Sequence, residues 1–183
     1  SAMRNAFLFA ASLFFYWKTS AAFVFLLLFS TVADWGIAAV MDRSENLQRR
    51  LWLTLSVLIN LGLLGFFKYA YFFADSSAML FDTSFRVESI LLPVGISFYT
   101  FQTLSYSIDV YRRKVAPVKS LLDFGCYVTF FPQLVAGPIV RAKDFIPQLQ
   151  SKYDLSRKEF NLGVWWILTG LIKKIVIADY IAM

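Results

Sequence analysis

The stretch FFPQLVAGPIVRAKDF, residues 130–145, closes a long apolar run and decides how the chain is arranged. It carries Pro132 and Pro138 within that run, and then turns abruptly polar at Arg141. A plain membrane helix has no need for these prolines, and a soluble strand excludes them because proline cannot donate to a sheet ladder. The stretch is therefore expected to be a broken element, and the rest of the chain indicates its setting.

The composition predicts a membrane protein. The chain has 183 residues, of which 58% are hydrophobic and 16% are charged, whereas an ordinary globular domain has about 25% charged residues. The apolar residues are gathered in blocks of about 20, the length that crosses a bilayer as a helix. We expect an all-α fold, a polytopic transmembrane helical bundle forming a single domain over residues 4–183, with residues 1–3 as a cloning scar. The predicted spans are residues 21–40, 51–73, 90–111 and 162–183, with 121–140 as the unusual segment.

Several classes of site are excluded by what the sequence lacks. There is no histidine, so the chain alone cannot build a Ser-His-Asp triad or supply a histidine base. The single cysteine, Cys126, excludes an internal disulfide framework. No phosphate-binding glycine motif occurs, and we expect neither a metal site nor a tightly bound cofactor. The net charge of +6 lies mainly in loops, which is typical of membrane topology and does not indicate nucleic acid as a partner.

The basic residues of the loops predict which loops share a side. Loop 42–50 has three Lys and Arg residues, loop 74–89 has one, loop 112–120 has four and loop 141–159 has five. Cytoplasmic loops carry the excess of these residues. If residues 121–140 crossed the membrane, the most basic loop would lie outside.

This conflict with the rule for loop charges disappears if residues 121–140 enter and leave the membrane on the same side. Pro132, Gly137 and Pro138 supply the breaks that a re-entrant turn needs. Non-helical backbone at membrane depth must be buried in protein or line a wet cavity. We therefore predict a re-entrant broken helix packed inside the protein. A proline-kinked ordinary span, with the charge rule failing once, is the alternative.

Polar residues in the predicted span 90–111 lie on two faces of a helix. Gln102, Ser105, Tyr106 and Asp109 share one face, and Thr100, Thr103 and Ser107 gather roughly opposite. Polar groups inside a bilayer usually face a bundle interior or a cavity. Single Ser and Thr residues often bond only to their own helix, and Asp109 can sit at the interface, so Gln102 is the strongest candidate of the set.

Two lysines, Lys173 and Lys174, interrupt the last apolar stretch, with Asp179 shortly beyond. Either their helix starts deep and the lysines reach an interface, or they line a polar interior. Both arrangements predict a locally thin membrane region. The short apolar run 7–17, closed by Lys18, is expected to be the tail of a helix that begins earlier.

Four motifs in order resemble the membrane-bound O-acyltransferases (MBOAT proteins), in particular the bacterial branch that acetylates alginate and similar exopolysaccharides. They are GFFKYAYFF, LLPVGISFYTFQTLSYSIDVYR, FFPQLVAGPIVRAKDFIPQL and GLIKKIVIADYIA. The D-alanyl transferases of teichoic-acid modification share part of this pattern but typically read Ser-Gly-Pro-Ile-Asp-Arg in the third motif. Here the residues are Ala136, Gly137, Pro138, Ile139, Val140 and Arg141, which favours the O-acetylating branch.

The resemblance implies a multi-pass protein of the bacterial inner membrane. It would take an acyl group, expected to be acetyl, from a cytoplasmic donor such as acetyl-CoA or an acyl carrier protein. It would pass the group to a hydroxyl of an extracytoplasmic polysaccharide, with glycan-modification proteins outside the membrane as partners. The family's catalytic histidine lies downstream of the KKIVIAD motif. The chain is therefore expected to be an N-terminal part of the family fold, inactive alone, with no catalytic residue.

The residues carried over from the family are scaffold and channel candidates only. In alginate-type relatives the position of Gln133 can be histidine, so this chain departs from the pattern of those relatives at this residue. A transporter or channel fragment is an alternative function, because broken helices with polar residues at depth also mark transporter sites. A non-catalytic membrane assembly subunit is a third. The candidates are Gln102, Asp109, Pro132, Gln133, Gly137, Pro138 and Arg141.

Overall fold

The computed structural model describes residues 2–81, 92–151 and 155–182. Within these ranges the regular structure is helical and no strand occurs, as expected of an all-α fold. The elements are α1 Ala2–Ser20, α2 Phe23–Arg43, α3 Asn46–Phe81, α4 Ile96–Tyr111, α5 Leu121–Thr129, α6 Phe131–Ala136, α7 Ala142–Gln150, α8 Arg157–Ile172, a π-helix Lys173–Ala178 and α9 Asp179–Ile181.

Three helical stretches are long and apolar enough to cross a membrane. They are Phe23–Arg43, Asn46–Ala70 and Arg157–Ile181. They correspond to three of the predicted spans, although each begins or ends several residues from the predicted boundary. α3 in particular begins at Asn46 and continues to Phe81, so the predicted loop 42–50 shrinks to two residues.

The fourth predicted span is shorter than expected, because α4 begins only at Ile96. Gly95 precedes it in the left-handed region with φ +73°, a conformation that glycine adopts without steric cost. A Cβ at Gly95 would also lie 2.7 Å from the Leu134 carbonyl oxygen of α6. Residues 82–91, which hold the second half of the predicted loop 74–89 and the predicted start of this span, lie outside the described residues.

The chain divides into two compact units, residues 1–150 and 151–183. The second unit is the helical stretch from Arg157, which opens with a capping box between Ser156 and Glu159. The Lys174 ammonium pairs with the Asp179 carboxylate across the π-helical turn. The lysine pair is thus part of a π-helical segment, which the sequence did not predict.

The first helix of the first unit is longer than the apolar run 7–17 indicated. α1 has 19 residues, about 28 Å at 1.5 Å per residue. The Arg4 guanidinium near its start bonds the Leu149 carbonyl at the end of α7. The Tyr16 hydroxyl near its other end donates to the Val94 carbonyl, 3.0 Å away, just before α4. α1 therefore reaches from α7 to the turn that starts α4.

Aromatic side chains form much of the core of the first unit. Tyr99 and Tyr106 of α4 and Phe124 and Tyr127 of α5 are almost fully buried. The rings of Tyr106 and Phe124 lie 4.7 Å apart, and those of Phe124 and Tyr127 lie 6.0 Å apart. Such pairs add to the stabilisation that burial of their large apolar surface provides. They fix α5 against α4.

One end of the first unit collects the basic segments, and we call it the basic end. There Arg49 of α3 reaches the last carbonyls of α4, and the Trp35 indole donates to the Val118 carbonyl at 2.8 Å. The segments at this end are residues 41–50, 110–120 and 141–150. The structure therefore brings together the predicted loops 42–50 and 112–120 and the first ten residues of the predicted loop 141–159.

Candidate functional site

A broken helix lies at the centre of the first unit. α5 ends at Thr129, Phe130 leaves the helical conformation with φ −55° and ψ 103°, and α6 begins at Phe131. Pro132 lies in the first turn of α6, where its missing N–H costs nothing. The same proline has no N–H to donate back to the carbonyl of Val128, so α5 cannot continue through it. The predicted break is confirmed, with Phe130 as its hinge.

Gln102 and Tyr127 hold this break together. The buried Gln102 amide donates from Nε2 to the Tyr127 carbonyl oxygen at 2.6 Å. This carbonyl belongs to the last turn of α5, whose oxygens lack helical partners. The Tyr127 hydroxyl lies 3.3 Å from the Gln102 carbonyl and 3.1 Å from the Val140 carbonyl. The side chains of Gln102 and Tyr127 thus connect α4, the end of α5 and the segment between α6 and α7.

Gly137 ends α6 in a position that admits no side chain. Its N–H donates to the Gln133 carbonyl at 3.0 Å, and its backbone is then extended. A Cβ built on Gly137 would lie 2.5 Å from the Gln133 Cα, which is closer than real Cβ contacts allow. The turn that follows the broken helix therefore requires glycine for close approach, as the sequence indicated.

Gln133 is a buried polar residue whose amide is incompletely bonded. Its side chain is 8% exposed, and its Nε2 atom has no hydrogen-bond partner among the described residues. The Tyr99 hydroxyl on α4 is buried and without a partner in the same part of the chain. Buried donors without partners are costly. Both are therefore candidates for contact with a water molecule or a ligand in the protein interior.

The broken segment returns to the end of the unit from which it starts. Asp123 at the start of α5 accepts from the Gln150 amide at 3.3 Å, and Gln150 is the last residue of α7. The Tyr127 and Phe145 rings lie 5.7 Å apart. The two helical pieces hold nine and six residues, about 22 Å in total even if collinear, which is short of a bilayer core. The geometry is that of a hairpin, as the loop charges predicted.

The other predicted site residues lie at the surface or at the basic end. Pro132 and Pro138 are exposed, and Asp109 is half-buried in the last turn of α4. The Arg141 side chain is exposed, while its carbonyl accepts from the first turn of α7. Among the described residues, the Gln102 amide bonds a freed carbonyl at the end of α5.

A second polar cluster, which the sequence analysis missed, joins α2, α3 and α4. Asp34 is fully buried, and its carboxylate accepts from the Ser56 hydroxyl at 2.7 Å and from the Asn60 amide at 2.9 and 2.8 Å. The Thr103 hydroxyl donates to the Asn60 carbonyl oxygen at 2.9 Å, and the hydroxyls of Ser56 and Ser107 lie 2.9 Å apart. We call these five residues the Asp34 cluster.

The spacing of polar residues could have revealed the Asp34 cluster. Ser56 and Asn60 are four residues apart on α3, and Thr103 and Ser107 are four residues apart on α4, so each pair lies on one helix face. The sequence analysis identified the Thr103 and Ser107 face but assigned it no partner. Asp34 lies within the predicted apolar span 21–40, and the sequence analysis gave it no role. A buried intramembrane carboxylate is costly unless it is bonded, and that cost was the missing signal.

Arg49 is a second residue whose role the sequence did not reveal. It is 6% exposed and donates to the carbonyls of Val110 at 2.7 Å, Tyr111 at 3.2 Å and Met41 at 3.3 Å. These carbonyls belong to the C-terminal ends of α4 and α2, which are negatively polarised. Arg49 therefore clamps two helix ends, whereas the sequence analysis counted it as a loop charge.

The arrangement is suited to shaping an interior more than to chemistry. The Asp34 carboxylate is closed to solvent and accepts hydrogen bonds from the neutral side chains of Ser56 and Asn60, so a substrate hydroxyl has no access to it in this arrangement. The described residues contain no group of His, Cys, Asp or Glu that could hold a metal ion. They provide a broken helix, a turn at Gly137 that packs closely against Gln133, and two polar clusters inside an apolar bundle.

The chain is similar in sequence to a known family and to named proteins. The sequence pattern of the membrane-bound O-acyltransferase family matches residues 105–182, which include the broken helix and the second unit. The chain is 40% identical over 193 residues to a Pseudomonas putida protein named "Probable alginate O-acetylase AlgI", with 98% of the chain covered. The chain belongs to the MBOAT family.

Two further relatives are also similar to nearly the whole chain. The "Probable alginate O-acetylase AlgI" of Azotobacter vinelandii is 41% identical over 98% of the chain, and the "Peptidoglycan O-acetyltransferase" of Helicobacter pylori is 34% identical over 92%. The MBOAT chain spans 38% of the length of the Pseudomonas relative and 37% of each of the other two. No solved structure matches it.

Proposed function

We propose that this chain is part of a membrane O-acetyltransferase that transfers acetyl groups to hydroxyls of an extracytoplasmic polysaccharide. The observation that carries the proposal is the similarity along nearly the whole chain to proteins named for acetylating alginate and to one named for acetylating peptidoglycan. Both names give a glycan as the acceptor, and a glycan offers the hydroxyls that an O-acetyl transfer requires. We infer a multi-pass protein of the bacterial inner membrane.

The basic end is proposed to face the cytoplasm, because cytoplasmic loops carry the excess of Lys and Arg. The acetyl donor, acetyl-CoA or an acyl carrier protein, would approach from that side. Proteins that modify the glycan would act on the other side. A membrane barrier thinned by the hairpin would let a donor and an acceptor on opposite sides meet, which supports transfer across the membrane.

The chemistry divides between this chain and the rest of the protein. Transfer to a hydroxyl needs a base that takes the hydroxyl proton as the oxygen attacks the acyl carbon. The chain has no histidine, and its buried Asp34 carboxylate is hydrogen-bonded to Ser56 and Asn60. We propose that the base lies in the remainder of the full-length protein, and that Gln102, Gln133 and Gly137 shape the path that leads to it.

The experiment is complementation in a strain that lacks its own polysaccharide O-acetylase. Expression of the full-length protein is expected to restore acetyl esters, measured by proton NMR of the purified polysaccharide. Expression of residues 1–183 alone is expected to restore none, at matched membrane abundance. D-alanyl esters in place of acetyl esters would redirect the proposal to the related transferases, and unmodified glycan with substrate uptake would favour a transporter.

A further inference from the structure

A groove at the basic end has the shape and charge of an anion site. It lies between residues 114–120 and α7 and encloses about 430 Å³. Lys114, Lys119 and Lys143 line it, together with apolar side chains such as Val118 and Ile146. None of the lining residues that the structure describes is acidic. The groove therefore combines three mobile positive charges with an apolar wall.

The three lysines come from two separate elements that the hairpin brings together. Lys114 and Lys119 belong to the connection between α4 and α5, and Lys143 lies in the first turn of α7. All three side chains are exposed. Their convergence on one groove exists only because the broken segment returns to its starting end. Lysines that only set the orientation of the protein in the membrane would not need to lie around one groove.

We propose that this groove binds the phosphate headgroup of an anionic phospholipid from the adjoining leaflet. Basic pockets between membrane helices bind anionic headgroups, and lysine serves as a compact charge for phosphate. The groove lies where α4 ends and α5 begins, which is the level of the headgroups if α4 and α5 are embedded. Its apolar wall fits the glycerol and upper acyl region of a lipid. The proposal does not depend on acetyl transfer.

The binding would act on the hairpin itself. A lipid phosphate held by Lys119 before α5 and by Lys143 after α6 would join both arms of the broken segment. It would also offset the mutual repulsion of three like charges around one groove. Anionic lipid would thus stabilise the folded hairpin, and this effect distinguishes a specific site from general attraction to a charged surface.

The test compares two triple variants of equal charge in nanodiscs of mixed phosphatidylglycerol and phosphatidylcholine. One carries Lys114→Gln, Lys119→Gln and Lys143→Gln. The control removes three exposed charges at the same end but outside the groove, through the changes Arg50→Gln, Arg112→Gln and Arg113→Gln. Native mass spectrometry after gentle release counts the retained phosphatidylglycerol. We expect about a tenfold loss of retained lipid in the groove variant and little loss in the control.

A third variant tests the shape of the groove at constant charge. Ala116→Trp is expected to fill it and to displace phosphatidylglycerol while leaving all lysines in place. Equal loss in both triple variants, or full retention in both, would overturn the proposal. So would displacement of the lipid by glycerol 3-phosphate at low concentration, because the site would then select a soluble phosphate. Circular dichroism of each variant confirms that the helices are intact.

Discussion

Both carboxylate oxygens of Asp34 accept from one amide, that of Asn60, at 2.9 and 2.8 Å. This contact joins α2 to α3 in the buried centre of the first unit. The Ser56 hydroxyl adds a third bond at 2.7 Å, and Asn60 passes the contact on to Thr103 of α4. A charge that is expensive to bury is thereby used to fix the packing of three helices.

The first prediction concerns this carboxylate. Asp34→Ala removes the shared acceptor of three buried hydrogen bonds from Ser56 and Asn60, so we expect a loss of roughly 3 kcal/mol in the free energy of unfolding. Denaturant titration of the detergent-solubilised protein measures it. The matched control is Asp42→Ala, which removes an exposed carboxylate from the same helix and should change stability little. Equal losses in both variants would contradict the role given to the Asp34 cluster.

The second prediction concerns Arg49. Arg49→Lys keeps the charge but cannot reach three carbonyls on two helix ends at once, because lysine lacks the planar fork of donors. We expect a loss of about 2 kcal/mol in stability, measured by the same titration. Arg50→Lys, at an exposed neighbouring position, should be neutral. If lysine at position 49 is tolerated equally well, the residue acts only as a topological charge.

The third prediction concerns the amide that caps the broken helix. Gln102→Leu keeps the approximate volume but leaves the Tyr127 carbonyl without its 2.6 Å bond. We expect faster hydrogen exchange in residues 127–134, because the hinge at Phe130 loses its connection to α4. Hydrogen–deuterium exchange with mass spectrometry measures this change. Gln48→Leu on exposed α3 surface serves as the control, and unchanged protection in the Gln102 variant would show that the cap is dispensable.

The sequence predicted the parts of the fold that depend on apolar length and on loop charge. The break at Pro132 and the turn at Gly137 follow from residue types whose backbone limits are known, and the return of the hairpin follows from the loop charges. The Asp34 cluster and the Arg49 clamp did not follow, because each depends on which helices are neighbours. A charge within an apolar span shows that a partner is needed, but only the packing of α2, α3 and α4 identifies it.

The boundaries of the helices were the least predictable feature for a related reason. α4 begins at Ile96 because Gly95 adopts a positive φ against α6, which is a tertiary contact. α3 begins at Asn46, five residues before the predicted span 51–73, and Arg49 in its first turns is buried against α4. Hydropathy alone predicts neither of these two contacts, since it measures only local composition.

The fourth prediction concerns the sidedness of the hairpin. In a Cys126→Ala background, single cysteines at Lys119 and Lys143 flank the broken segment, and one at Leu92 lies before α4. A membrane-impermeant maleimide should label Leu92→Cys in intact cells. It should label Lys119→Cys and Lys143→Cys only after permeabilisation, because both arms lie at the basic end. Labelling of Lys119→Cys and Lys143→Cys from opposite faces would mean that the segment crosses the membrane.

The most direct measurement of the central claim, that the broken helix shapes the path of acyl transfer, is polysaccharide acetylation by a variant of its closest turn. In the full-length protein Gly137→Leu places a side chain where a Cβ would already lie 2.5 Å from the Gln133 Cα, whereas Gly36→Leu enters open space on α2. Acetyl esters per membrane-inserted protein are measured for both. We expect at least about a tenfold loss for Gly137→Leu, the scale of a misplaced catalytic geometry, and near wild-type acetylation for Gly36→Leu. Wild-type acetylation by Gly137→Leu would contradict the account, because the turn would then be only a kink in an ordinary helix.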